Sequence, residues 1–325
     1  MRALLVYNPT AGRSGTRREI PDAVAVLSAA GWLIVPAQTQ GPDHAAELAR
    51  QACVDGYDVV LVAGGDGTIN QVANGLITAV REGLPLAALG LLPAGTANVL
   101  ARDLGLPVPG PGLIGTLPAA ARLLLKSTSE WIDAGLASGA QGERTFVCWA
   151  GVGIDAAITA HVMANPQAKR RFGALYFATS ALAQLPQVRN APTYTISVDD
   201  QVWQGQGILA VASNIQHYAV LIDMAPLASL NDGLLDVVFF RNVNWRNGLG
   251  LLRKLAVGQH MGDPSVGYAY ARRVVIDADT PQPVHVDAEP FGVTPLTVEI
   301  LPHALRLLVP PSKAAKRLVP SRSVE

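Results

Sequence analysis

Five consecutive apolar residues, Val59–Ala63, run straight into Gly64-Gly65-Asp66-Gly67-Thr68, and Ile69, Val72, Ala73 and Leu76 then recur at helical spacing. A run that is apolar on both faces predicts a strand covered on both sides, the usual state of a parallel sheet. A glycine-rich turn at the carboxyl end of such a strand, opening a helix, is where open α/β sheets hold their ligands. Thr68 and Gln71 have the T-x-x-Q spacing of a capping box, which predicts a helix starting at Thr68.

The same rhythm fills the first third of the chain. Ala3–Tyr7 reads as a strand ending in Asn8-Pro9-Thr10-Ala11-Gly12, and Ile20, Val24 and Leu27 mark a helical face. Trp32–Val35 is the next strand, and Ala45, Leu48, Ala49 and Ala52 the next helix. Leu86–Leu92 follows, leading into Pro93-Ala94-Gly95-Thr96-Ala97-Asn98 and a short helix stopped by Gly105 and Pro107. Strand–helix alternation of this kind predicts a doubly wound parallel α/β domain over residues 1–126.

Beyond a helix ending near Lys126 the alternation is lost. Trp131–Ala137 and Arg144–Ala150 read as strands paired around Ser138–Gly142, and Tyr194, Ile196 and Val198 alternate at period two. Leu234–Phe240, Arg273–Asp277, Val284–Asp287 and Leu296–Ile300 add strands, with helices around Phe172–Leu185 and Trp245–Gln259. Strands without a βαβ rhythm predict an antiparallel sandwich or barrel, here taken as a sandwich, over residues 127–302. The tail Ser312–Glu325 is polar and basic.

Composition narrows the function. Lys+Arg and Asp+Glu are both 25, so the net charge is zero and a broadly basic nucleic-acid binder is excluded. Cys53 and Cys148 make neither a disulfide framework nor a metal-ligand spacing. Two long uncharged stretches exist, but Leu84–Ala101 is broken by prolines and glycines and Gln201–Ile222 holds several amides and His217. Neither is a spanning helix, and Met1–Pro9 has no cleavage region, so a soluble cytoplasmic protein is expected. The six histidines are scattered, and no G-x-S-x-G elbow occurs.

The two glycine loops carry the chemistry. Helix-start N–H groups favour a phosphate, and glycines let backbone approach a ligand. Asp66 would repel that phosphate, which points to a bridging Mg²⁺; a tight turn with Asp66 as a local cap is the plainer alternative. Thr96 and Asn98 have an ordinary explanation as helix caps. Asp287 and Glu289 are two apart, so on a strand both would share one face, as a catalytic pair or as a solvated edge.

Together these segments resemble the diacylglycerol kinase catalytic family, especially its bacterial lipid kinases related to sphingosine kinases. The resemblance rests on Asn8–Gly12, Gly64–Thr68 with Ile69-Asn70, and Pro93–Asn98. It continues through Gly151-Val152-Gly153-Ile154-Asp155-Ala156, Ala225-Pro226 with Asn231-Asp232-Gly233-Leu234-Leu235-Asp236, and Val286-Asp287-Ala288-Glu289.

The resemblance implies ATP held between the domains by Asn8, Pro9, Thr10, Ala11, Gly12, Thr39, Gly64, Gly65, Asp66, Gly67, Thr68, Ile69, Asn70, Gln71, Gly95, Thr96 and Asn98. It implies Asp287 as general base on a lipid hydroxyl with Glu289 as its partner, and a structural Mg²⁺ at Asp232 with the carbonyls of Ser229 and Leu234. The chain end, residues 303–325, is expected to return to the first domain. A lipid acceptor implies peripheral contact with a membrane, where Arg13, Arg17, Arg18 and Lys169-Arg170-Arg171 are basic candidates; a homodimer stays open.

Four departures stand out. Ala288 replaces a glycine, Val99 an aspartate and Asn231 an aspartate, while Gln216-His217-Tyr218-Ala219 lacks the glycines common there. They motivate a rival reading as a non-catalytic nucleotide or lipid sensor; an NAD kinase-type enzyme is the other rival.

Overall fold

The computed structural model describes residues 1–9, 18–110, 113–164, 191–218, 222–243 and 247–311. They form two compact units: residues 1–133 with the chain end from Pro302, and Ala134–Leu301.

In the first unit, β1 (Arg2–Tyr7), α1 (Ile20–Ala29), β2 (Leu33–Gln38), α2 (His44–Val54), β3 (Val59–Gly64), α3 (Asp66–Arg81) and β4 (Ala88–Pro93) alternate, followed by α4 (Val99–Asp103) and α5 (Thr116–Leu124). These four strands pair in parallel, in the order β4-β3-β1-β2, and the chain end adds Arg306 and Leu307 in parallel beside Ala88 and Leu89 of β4. β3 and β4 are buried at every position because helices cover both faces. On one face Ala23 and Leu27 of α1 and Leu117, Ala121 and Leu124 of α5 pack on Ala3, Leu5, Leu61 and Leu92. Val60, Val62, Leu89 and Leu91 point by alternation to the other face, with α2 and α3. Those two helices meet closely at Gly75, where a Cβ would lie 2.1 Å from the Ala46 carbonyl oxygen.

From β1 the chain moves outward to β2, then back past β1 to β3. Loops leaving β1 and β3 therefore depart to opposite faces, which opens a crevice at the carboxyl ends of these two strands. Asn8-Pro9 and Gly65 lie there.

The second unit contains β6 (Gly142–Phe146), β7 (Trp149–Gly153), α6 (Ile154–Ala164), β8 (Thr193–Val198), β9 (Gln201–Ser213), β10 (His217–Tyr218), β11 (Ile222–Asp223), β12 (Leu235–Arg241), α7 (Gly248–Ala256), β13 (Val266–Ala271), β14 (Arg273–Ala278), β15 (Pro283–Val286) and β16 (Glu289–Val293). β5 (Thr128–Gly139) enters it and β17 (Leu296–Val309) leaves it. β9 is long enough to serve two sheets. Its first half pairs with β8, which continues through β14 to β17. Its second half lies between β7 and β12, and that sheet extends through β15 to β16 and through β12 to β13. All these pairs are antiparallel. The core between the sheets sets Tyr194, Ile196, Val274, Ile276 and Val298 against Ala150, Val152, Ala210, Ala212, Val237 and Val286. The expected fold class, parallel α/β plus antiparallel sandwich, is the one observed.

Three local expectations were wrong. The helix after β3 begins at Asp66 with Gly65 as N-cap, so Thr68 and Gln71 form no capping box; Thr68 is instead buried, its Cβ only 2.7 Å from where a Cβ on Gly64 would lie. Arg144–Ala150 is not one strand but β6 and β7, which belong to different sheets and are separated by a corner at Val147-Cys148. Asp287 is not in a strand: β15 ends at Val286. The expectations for Thr10-Ala11-Gly12, Arg13, Arg17, Lys169-Arg170-Arg171, the helix at Phe172–Leu185 and the tail Ser312–Glu325 lie outside the described residues. Among the described residues no helix is long and apolar enough to cross a membrane.

Candidate active site

In the first unit, registers Tyr7↔Gln38, Tyr7↔Ala63 and Gly64↔Pro93 end four strands side by side. The segments beyond them, Asn8-Pro9, Thr39, Gly65-Asp66-Gly67 and Ala94-Gly95-Thr96, share one edge. Thr39 is buried and its N–H donates to the Tyr7 carbonyl at 3.0 Å.

The glycines here allow close contact between the two loops. A Cβ on Gly95 would lie 2.4 Å from the Gly65 Cα, and the Ala94 N–H donates to the Gly64 carbonyl at 2.8 Å. Asn98, fully buried in the left-handed region at φ 50°, closes its own loop by accepting the Gly95 N–H at 2.9 Å and donating to the Gly95 carbonyl at 2.8 Å.

Asp66 has a partner the sequence did not reveal. Its carboxylate accepts the N–H groups of Asn98 at 2.8 Å and Val99 at 2.6 Å, capping α4 from a residue 33 positions away. That charge is thus directed at the start of α4. Gly65 has no side chain with which to cap the 16-residue α3, so that helix start suits a phosphate. Thr68, Ile69 and Asn70 are buried, and Asn70 accepts from Asn74 at 3.3 Å within the helix. Thr96 is exposed, while Asp66, Gly67 and Gln71 are half-buried.

In the second unit, Val286 pairs with Glu289, leaving Asp287 and Ala288 as the two central residues of a hairpin. Their φ values of 47° and 62° are both left-handed, as a type I′ turn requires. The Asp287 carboxylate accepts three successive N–H groups, Val147 on Oδ2 and Cys148 and Trp149 on Oδ1, each at 3.0 Å. The carbonyls of the same corner go to Asn214, whose N–H donates to Cys148 at 2.8 Å and whose amide donates to Val147 at 3.0 Å. Asp287 therefore holds the corner that splits β6 from β7. Of about four acceptor positions on a carboxylate, three are used, and the remaining one is on Oδ2. Burial pushes the Asp287 carboxyl up from its ordinary value to about 6, against the opposing pull of the three N–H groups and His285. Glu289 is half-exposed, 3.5 Å from Arg144.

Sequence reasoning missed a cluster beside this turn. His285 Nε2 lies 2.7 Å from Asp155 Oδ2, the Tyr218 hydroxyl donates to the same oxygen, and the Ala288 N–H points at His285 Nδ1 at 3.3 Å. The three side chains come from β15, α6 and β10, so no local pattern joins them.

At the Asn231-Asp232-Gly233 turn, Asp232 Oδ1 accepts the Leu234 N–H at 3.1 Å, and Asn231 accepts the Ser229 hydroxyl at 3.1 Å. One carboxylate with neighbouring carbonyls is an all-oxygen donor set that fits a hard cation completed by water. Among the described residues no group of three or more His, Cys, Asp or Glu side chains is placed to hold a metal.

Residues 2–137 match the profile of the diacylglycerol kinase catalytic domain, and residues 149–309 that of the YegS C-terminal NAD kinase beta sandwich-like domain. A diacylglycerol kinase of Staphylococcus aureus (strain MRSA252) is 30% identical over 90% of this chain and 88% of its own. One of Bacillus subtilis (strain 168) is 28% identical over 96% of this chain and 98% of its own. A crystal structure described as a diacylglycerol kinase from Bacillus anthracis str. Sterne covers 96% of this chain and 97% of its own at 19% identity, with a TM-score of 0.69; it supports the fold alone.

Proposed function

The chain belongs to the diacylglycerol kinase family, a family of lipid kinases, and on that premise we propose that it transfers the γ-phosphoryl of ATP to a hydroxyl of diacylglycerol or a related lipid, with Asp287 as the base. The observation that carries this reading is the state of Asp287: a buried carboxylate, fixed by three N–H groups, with a pKa of about 6 and one Oδ2 position left to accept a proton. A base titrating near the working pH is suited to taking a hydroxyl proton as the new bond forms. Phosphoryl transfer asks little covalent work of the protein beyond this and alignment.

In this reading the edge formed by Asn8, Thr39, Gly65, Gly67 and Thr96 takes the nucleotide, with the start of α3 facing phosphate. Mg²⁺, when bound, neutralises charge on the phosphates, and Asp66 is the nearby carboxylate that can meet it directly or through water. Asp232, Ser229 and Leu234 would hold the structural ion. Glu289 stands two residues beyond the base, where it can assist with a proton or a metal. Ala288 adopts the left-handed conformation a glycine would, so this departure leaves the turn intact and is one motive fewer for a sensor. The acceptor implies that the protein works at a membrane surface. The test is transfer of γ-label from ATP, with Mg²⁺, into an extractable lipid.

A further inference from the structure

We propose that the partly buried His285–Asp155–Tyr218 cluster is a positioning device for Asp287, holding an alanine-containing turn in a conformation that glycine would adopt unaided. The inference rests on the reading of Asp287 as the base.

Ala288 sits at φ 62°, in the left-handed region that an L side chain disfavours, and it follows Asp287 at φ 47°. Two left-handed residues in succession need support from outside the turn. His285 supplies it: Nδ1 accepts the Ala288 N–H, so in the neutral ring Nε2 carries the proton and donates to Asp155 Oδ2. The Tyr218 hydroxyl donates to the same Asp155 oxygen and also lies 3.1 Å from His285 Nε2, which fixes the plane of the imidazole. The cluster is built in at the backbone level as well. A Cβ on Gly151 would lie 2.4 Å from both Asp155 Oδ2 and His285 Nε2, so only glycine leaves room for the pair. Tyr218 reaches Asp287 from a second side too. Its ring packs on Trp149 at 4.9 Å, and the Trp149 N–H is one of the three that grip the Asp287 carboxylate. Burial holds the Tyr218 hydroxyl well above its ordinary pKa, so it remains a donor. His285 and Tyr218 touch both ends of the support of Asp287 while contacting its carboxylate with neither side chain. They are positioning residues.

The experiment measures kcat and the KM for ATP of the whole chain, using γ-labelled ATP, Mg²⁺ and a mixed lipid extract, with thermal unfolding in parallel. His285→Gln keeps a partner for Asp155 but not the acceptor for Ala288; Tyr218→Phe keeps the ring on Trp149 but not the hydroxyl. Both are expected to lower kcat, His285→Gln by roughly ten- to a hundred-fold, with the KM for ATP within about two-fold of wild type, because the cost of a misplaced catalytic group falls on the chemical step. In an Ala288→Gly background the His285→Gln loss is expected to shrink by about five-fold, the ratio corresponding to roughly 1 kcal/mol of left-handed strain. A purely structural role would lower thermal stability without this rescue, and that result overturns the proposal. So does unchanged kcat in both variants when Asp287→Asn is inactive. Full activity of Asp287→Asn would instead remove the base assignment, and the positioning role with it.

Discussion

The Asp66 carboxylate binds the backbone N–H of Val99 at 2.6 Å, so the glycine loop after β3 caps the helix after β4. The two loops at the carboxyl edge are thereby one unit. Asp66→Ala should leave two helix-start donors without their acceptor, costing about 1–3 kcal/mol of stability. Chemical denaturation reads the stability, and the KM for ATP should rise in the same variant.

Gly95→Ala tests the contact between the same loops from the steric side. The added Cβ would fall 2.4 Å from the Gly65 Cα, and backbone cannot yield as a flexible side chain can. ATP binding by calorimetry should weaken by at least about ten-fold, since misplacement of a positioning element by about 1 Å is costly.

Gly135 makes the matching test in the sandwich. A Cβ there would lie 2.0 Å from Phe146 Cζ in the core between the sheets. Gly135→Ala should lower stability by about 1–3 kcal/mol through overpacking. Thermal unfolding checks it.

The pH dependence follows from Asp287, whose pKa is raised to about 6 by burial. The proposed base is competent only when ionised, so kcat should fall as pH drops through about 6. The stability contribution runs the other way. Between about 4 and 6 the folded state binds more protons at this site than the unfolded chain, so Asp287 makes stability decrease as pH rises across that window. The pH–rate profile and denaturation midpoints at pH 4.5 and 7, compared between wild type and Asp287→Asn, separate the two effects.

The legible part of this molecule was local. Continuous apolar runs such as Val59–Ala63 and alternation such as Tyr194, Ile196 and Val198 announce covered and half-covered strands, and the fold class followed from them. What escaped were interactions reaching far along the chain. The split of Arg144–Ala150 into two strands is caused by Asp287, some 140 residues later, which takes the N–H groups a continuous strand would have given to a ladder. The capping box at Thr68 and Gln71 failed because the turn at Gly65 began the helix earlier and sent Thr68 inward. The Asp287–Glu289 spacing was read as a strand face because a type I′ turn normally announces itself with glycine or asparagine, and Ala288 gives no such signal. His285, Asp155 and Tyr218 share no periodicity, so only the fold unites them.

The central claim is tested most directly by incubating the protein with γ-labelled ATP, Mg²⁺ and a mixed lipid extract, and comparing wild type with Asp287→Asn. The account predicts label in an extractable lipid from wild type, and its loss in the variant while ATP binding persists. Equal labelling by both proteins, or no labelled lipid from wild type that still binds ATP, would contradict it.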